Sequence, residues 1–493
     1  MAKELVEAGA YEQAREALGE LWRGVGERPR LDGIDDPLAR ARVLLCASTL
    51  SSMLGSYKQI EGAQERVRDL LSEAMSLFQT GGDRVGADEA MLELGTCYWR
   101  ASSHDEARII FRQLLAREAS LAREVATLAR LRLSIVERMT LRLHEALRLH
   151  AESAALFAEA GDHALQGKHH AEYGMVLQEL GAAEQRADYI DRSLIELAAA
   201  SYHFEQAGHM VYSACIKNEL AMALVILAQL DPAQAARLGE AHAHLDEAVR
   251  LMSGVKDRGH LTNVRETRAK VFLGQRQYQL AEREARAAAR AFKQSGEASF
   301  YAEAMITCGT ALAELDRHGE ARRALEEAEA AARAAGDVES AGTAALTLIE
   351  TLGTQLEWDY LTRLYEQAAE GLSQTRHRGL LERLRRASLV TLRAREKGPG
   401  GHAGGYEVPQ LHTGFNFFGE VTRYERYWLS MALEKAEGQP TAAARLLGLR
   451  HQTLTKVLQG RHKDLQAVRV PPCPRRRSII QTATSKKGRA RKS

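Results

Sequence analysis

The chain has 493 residues, too many for one ordinary domain unless a repetitive architecture spans most of it. Ala, Leu, Glu and Arg dominate, and of nine prolines only Pro232 falls between Pro37 and Pro399, which implies continuous helices and excludes a strand-rich fold. The net charge of +2 conceals an asymmetry: residues 417–493 carry 17 Lys and Arg against 5 Asp and Glu, and residues 1–416 carry 50 against 60, so an acidic body ends in a basic segment.

The first residues, "MAKELVEAGAYEQAREAL", already read as an amphipathic helix and not as an export leader. They match only the second half of a helical hairpin, so the register predicts a truncated start. Beyond them a phrase recurs: "FQTGGD" at 78, "FAEAGD" at 157, "FEQAGH" at 204 and "FKQSGE" at 292, with "ARAAGD" at 332 lacking only the Phe. Its glycines, at 82, 161, 208, 296 and 336, are spaced by 79, 47, 88 and 40 residues, close to one or two multiples of 40 to 47. Each phrase reads as a helix end, with Gly in the left-handed conformation and the Phe one turn back on the buried face. A period of that size predicts a stacked helical array.

Within the repeats, "LGTCYWRASSHDEARIIF" places Leu94, Gly95, Tyr98, Ala107 and Phe111 at the spacing of the tetratricopeptide (TPR) family, which the body therefore resembles. Gly309, Ala321, Leu325 and Ala328 repeat the pattern with Leu312 in place of Tyr. Small Gly and Ala let two helices approach, and large side chains fill the gaps beside them. Other copies depart from the family: Ala285 replaces an aromatic, residues 181–200 carry extra positions, and the period exceeds the usual 34. The resemblance implies a TPR-like array over residues 1–394 whose concave face takes a protein or peptide partner.

Nothing in the body predicts chemistry. His169 and His170 are adjacent, and His242 and His244 are two apart, so neither pair shares a helix face; Glu240 and His244 give two ligands where zinc wants three or four. There is no phosphate loop, no HExxH and no GxSxG, so neither enzyme activity nor a metal or other cofactor is expected. The cysteines, Cys46, Cys97, Cys215, Cys308 and Cys473, form no CxxC pair and read as reduced thiols of a cytoplasmic protein, the first four in helix interfaces. No apolar stretch is expected to approach the roughly 20 residues of a membrane helix.

"GPGGHAGG" lies in a Gly-rich linker, residues 395–416, after which the character changes. Val421, Tyr424, Trp428 and Met431 fall at helical spacing and predict a helix with an aromatic face ending near Gly438. A second helix starts at Pro440, where fixed φ suits the first helical position, and a third runs from Arg450 to Gln459 beyond a turn at Gly448. Small Ala443 and Ala444, the turn at Gly448, and apolar Leu447, Leu449, Leu454 and Val457 turned inward make a helix-turn-helix core. With "GQPTAAARLLGL" and the following Thr-Leu and Lys, residues 417–465 closely resemble the Fis-type helix-turn-helix of bacterial nucleoid proteins and enhancer-binding activators.

That resemblance implies that the third helix enters the major groove of double-stranded DNA with Arg450, His451, Gln452, Thr455 and Lys456, that Thr453 meets backbone phosphate, and that the module works as a homodimer. Arg461 and Lys463 extend the basic face. Helix one, with Tyr424, Tyr427 and Trp428, is the expected interface or else ordinary core. The departures are Gln439 and Arg450, which replace the family's usual capping residues, and Val457, near a position often basic. Residues 466–493 hold Arg475, Arg476 and Arg477 and a Lys486 to Lys492 cluster with no acid, a disordered arm for phosphates. The chain thus reads as all-α: a TPR-like solenoid, a Gly-rich linker, a helix-turn-helix and a basic tail. Its expected function is a cytoplasmic, nucleoid-associated bacterial transcriptional regulator without its own ATPase. The alternative is an interaction scaffold whose basic end binds nucleic acid without sequence choice.

Overall fold

The computed structural model describes residue 5 and residues 11–57, 60–159, 161–252, 258–375, 377–396 and 416–468. The chain divides into two compact units, Met1–Ala387 and Ser388–Ser493, and among the described residues every regular element is helical. The glycine-rich centre of the linker and the tail with Arg475, Arg476 and Arg477 lie outside the described residues.

The first unit opens with a short helix, α1 (Tyr11–Leu18), whose Ala14 and Leu18 pack with Ala47, Leu50 and Leu54 of α2. Helical hairpins follow: α2 (Pro37–Tyr57) with α3 (Ala63–Thr80), α4 (Arg84–Arg100) with α5 (His104–Leu115), and α6 (Arg123–Met139) with α7 (Leu143–Ala158). Next come α8 (His163–Glu184) with α9 (Ala187–Gln206), α10 (Met210–Leu230) with α11 (Leu238–Met252), and α12 (Arg258–Gly274) with α13 (Tyr278–Ser295). Then come α14 (Ala298–Glu314) and α15 (His318–Ala334), α16 (Val338–Leu352) and α17 (Trp358–Gly371), and α18 (Arg378–Glu396). First helices begin at residues 37, 84, 123, 163, 210, 258, 298, 338 and 378, so the repeat is 39 to 48 residues long.

The recurring phrase does two jobs. Gly82, Gly161, Gly208, Gly296 and Gly336 all have φ between +67° and +78°. That left-handed backbone stops the preceding helix, and no Cβ has to be accommodated there. Phe78, Phe157, Phe204 and Phe292 behind them are buried, as is Ala332 in the copy without Phe. The following acid starts the next helix: Asp83 accepts from Gly86 N at 2.9 Å, Asp162 from Ala164 N at 2.8 Å and Asp337 from Ser340 N at 3.0 Å.

In the hairpins α4–α5, α8–α9 and α14–α15 a glycine of the first helix faces a large side chain of the second. A Cβ on Gly95 would stand 2.6 Å from the Phe111 ring, and one on Gly309 2.6 Å from Leu325. In five hairpins the inner turn has a left-handed residue that is not glycine, so the sequence does not announce it: Ser102 (φ 59°), Leu141 (56°), Gln185 (59°), Arg276 (61°) and Asp316 (57°). Each first helix also touches the first helix of the next hairpin, so these helices form the inner row of the array.

Helix α10 corrects the expectation about membrane-length stretches. Its 21 residues are long and apolar enough to cross a membrane by length and composition, with a mean hydropathy of 1.5 over the best window. Lys217, Asn218 and Glu219 interrupt the run, which hides it in the sequence. Its apolarity serves two cores at once: Ala214, Ala221, Leu224 and Val225 join α11 and α12, and Ile216, Leu220, Ala223 and Leu227 join α8 and α9.

The second unit contains α19 (Phe417–Lys435), α20 (Pro440–Leu446), α21 (His451–Gly460) and a 3-10 segment, Lys463–Val468. Leu429, Ala432, Leu433, Ala436, Ala443, Ala444, Leu454, Leu458 and Leu465 form its core, with Leu447 and Val457 partly buried against it.

Gly95→Ala is expected to destabilise the array by about 1–3 kcal/mol, because the methyl group must displace a fully buried ring. Arg276→Gly, at an exposed left-handed turn, is expected to stabilise it by roughly 0.5–1 kcal/mol. Urea unfolding followed by circular dichroism measures both, and a loss of stability in Arg276→Gly would contradict the strain argument.

Candidate functional site

The inner row of the array is polar and cross-linked from repeat to repeat. Arg100 of α4 donates to Ser52 Oγ of α2 at 2.8 Å, and Arg132 of α6 donates to Glu93 at 2.8 Å and Thr96 Oγ1 at 2.6 Å on α4. Arg138 of α6 holds Glu172 at 2.6 Å and Glu179 at 2.7 Å on α8. Further along, Lys270 of α12 pairs with Glu303 of α14 at 3.5 Å, and Arg383 of α18 with Glu350 of α16 at 2.6 Å. Every rung joins neighbouring first helices, so charge on this face is ordered by the repeat itself. Burial holds the Glu179 carboxyl above its ordinary range even though Arg138 pulls it down.

A second polar feature lies at the joint between the hairpins α6–α7 and α8–α9. His150 Nδ1 and His169 Nδ1 are 3.2 Å apart, and the two side chains are 1% and 2% exposed. Tyr173 stacks on His150 and Phe157 on His169, with ring centroids 5.2 Å and 4.1 Å apart. His170, beside His169, pairs with Glu196 at 2.7 Å and stacks on His203, which in turn lies 2.9 Å from His163 through their Nδ1 atoms. One proton between His150 and His169 makes a hydrogen bond; a second would put two N–H groups nose to nose. No group of three or more His, Cys, Asp or Glu arranged to hold a metal ion occurs among the described residues. The sequence exposed only the adjacent pair His169–His170, because the seam is assembled from three helices.

In the second unit, α21 presents Arg450, His451, Gln452, Thr453 and Lys456 to solvent while Leu454 and Leu458 are fully buried. Gly448 turns the chain with φ +63°, and Leu449 N donates to Ala444 O at 2.8 Å. Neither Gln439 nor Arg450 caps its helix through its side chain. One expectation, an inward Leu449, is corrected here, and the positions of Thr455, Arg461 and the α19 aromatics are now defined. Leu449 is 39% exposed, because the turn carries it outside, and Leu458, one helical turn after Leu454, takes the inward place. Thr455 is half-buried, its hydroxyl donating to His451 O at 2.9 Å, which turns it back on its own helix. Arg461 is exposed but ion-paired with Glu425 at 3.2 Å. The aromatic face of α19 is not the core: Val421, Tyr424 and Trp428 are exposed, and the helix buries Leu429, Ala432, Leu433 and Ala436 instead. Lys463 is exposed, and the nearly buried His462 beside it bonds Glu425 at 3.3 Å, a staple the sequence pattern gave no sign of.

Among solved structures, the chain is similar to a Rap protein complexed with competence and sporulation factor: 12% identity over 88% of this chain and 100% of that one, TM-score 0.50. It is also similar to a signal transduction ATPase with numerous domains carrying a tetratricopeptide repeat sensor, from Pyrococcus horikoshii, with 12% identity over 77% and 55% and a TM-score of 0.46. A human IFIT1 dimer with m7Gppp-AAAA shares 12% identity over 94% and 93%, TM-score 0.40. The fold is a TPR-like helical solenoid. No family model and no curated protein matches the chain. At these identities the likeness extends to the fold alone.

The histidine seam sets a pH dependence. Burial, then the neighbouring histidines, push His150 well below its ordinary range and His169 down to about 4. Both are neutral in the fold, so the unfolded chain takes up protons first as pH falls. The seam's stabilisation is therefore complete above about pH 6.5 and is lost on acidification toward pH 4, at roughly 2 kcal/mol from His169 alone between pH 7 and 5. Thermal unfolding of the His150→Leu, His169→Leu double variant should show a flatter slope in that window than the parent; parallel slopes would remove the histidines from the account.

Proposed function

We propose that the chain is a TPR-type interaction scaffold that docks a protein or peptide partner along its inner row of helices and binds nucleic acid through its basic C-terminal end. The observation that carries this reading is the inner row itself. Arg100 on α4, Arg132 and Arg138 on α6, Lys270 on α12 and Arg383 on α18 are cross-linked to neighbouring first helices yet partly exposed, and together they make the inner row a charged surface at intervals along the array. The complex of the Rap protein with competence and sporulation factor supports a partner-binding role for an array of this fold. Photo-crosslinkers placed at Met139 and Tyr212 of the inner row, and at exposed Ile109 and Val249 of the second helices, test it in cells. The inner positions should capture one recurrent partner and the outer ones none; equal capture from both would remove the reading.

A second reading, a sequence-specific DNA-binding regulator working as a homodimer in the bacterial cytoplasm, is favoured by one observation. On α21 the residues opposite buried Leu454 and Leu458 are Arg450, His451, Gln452, Thr453 and Lys456, side chains suited to base edges and phosphates. The Fis-type resemblance of residues 417–465 belongs to this reading. Sequencing genomic fragments captured at near-physiological salt, beside a His451→Ala, Gln452→Ala, Lys456→Ala variant, separates the two. A motif with half-sites about one helical turn apart, lost in the variant, supports the regulator. Capture without a motif, falling steeply with salt and unchanged in the variant, supports the scaffold.

A further inference from the structure

The coil of the array brings its late repeats back against its middle: Gly379, at the start of α18, sits against the side chain of Gln185 at the end of α8. Beside this contact lies a cleft of about 500 Å³. Its walls come from the end of α6, from α8 and α10, and from α16 and the segment before α18. Met139 and Leu141, 48% and 47% exposed, and Ile226 give it an apolar side.

The polar side is short of positive charge and of hydrogen-bond donors. Arg138 is already divided between Glu172 and Glu179, and Glu339 on the facing wall makes no ion pair among the described residues. The next cation, Arg383, is held by Glu350. Two buried atoms on the walls also lack partners: Gln178 Oε1, on a side chain only 8% exposed, and His377 Nδ1. Burial keeps His377 neutral, so its free nitrogen is able to accept. Buried acceptors without donors are costly unless a ligand supplies the donors.

We propose that this cleft receives an arginine side chain from a peptide segment of the partner, the guanidinium between Glu179 and Glu339 and the neighbouring apolar residue on Met139, Leu141 and Ile226. A guanidinium offers five donors in a plane and keeps its charge when desolvated, which matches two carboxylates and two unpartnered acceptors better than an ammonium does. The inference rests on the scaffold reading and adds the chemistry of its partner.

The test is fluorescence anisotropy on the full chain with an end-blocked, labelled pentapeptide, Leu-Arg-Leu-Arg-Leu, and its counterpart Leu-Glu-Leu-Glu-Leu. The arginine peptide should bind, and Glu179→Gln with Glu339→Gln should weaken it about tenfold while leaving any binding of the glutamate peptide unchanged. Glu339→Gln alone, which breaks no ion pair, should still weaken it about threefold if the double variant proves unstable. No binding of the arginine peptide, or binding indifferent to both variants, overturns the proposal. The crosslinking result keeps the two levels apart: a partner still captured at the inner row by the double variant leaves the scaffold standing and removes the cleft, whereas no inner-row capture in the parent removes the scaffold.

Discussion

The array depends on how closely two helices of one hairpin approach. Where Gly95 faces Phe111 and Gly309 faces Leu325, the absence of a Cβ lets the aromatic or leucine side chain lie against bare backbone. The same arrangement recurs at Gly167 with Phe204 and Gly174 with Leu197. Since protein interiors are packed to crystal density, this knob-against-glycine contact fixes both the distance and the rotation of the pair, and every later hairpin inherits that geometry from the one before. The apolar clusters accordingly stay local, each drawn from neighbouring helices and followed along the chain by the next.

What sequence reading recovered was whatever is written in adjacent residues. A helix stop at Gly82 and a helix start at Asp83 are local decisions, and the phrase that encodes them repeats visibly. The left-handed turns at Ser102, Leu141, Gln185, Arg276 and Asp316 carry no common residue type, because hairpin packing imposes that backbone whatever the side chain. In the C-terminal unit the helices could be placed from Pro440 and Gly448, but not the rotation of α21 about its axis. Leu449 and Leu458 are both plausible inward residues until the turn at Gly448 chooses between them.

Polar groups inside the array divide into two kinds. Glu137, fully buried, is surrounded by Arg108 at 3.0 Å, Arg112 at 3.0 Å and Arg142 at 3.1 Å, a closed network in which every charge has a partner. Such a group fixes one arrangement of α5, α6 and the turn beyond them, because removing any member strands a charge in the interior. The inner-row pairs and the cleft are less complete, and incompletely satisfied polar surface is where a partner gains most from adding its own donors and charge. The same side chain types therefore act as staples at one depth and as recognition groups at another.

The two-sided burial of α10 has a consequence for how the protein is made. Synthesis runs from the N-terminus, so α8 and α9 are available to cover one side of α10 as soon as it forms, while α11 and α12, which cover the other, are still to come. At roughly 5–20 residues per second, the span from the end of α10 to the end of α12 takes about 2–9 seconds. During that interval the nascent chain displays an apolar helix of membrane-spanning length with one face bare. Lys217 and Glu219 near its middle lower its appeal to a lipid bilayer, so the charges that interrupt the helix also act as gatekeepers during translation.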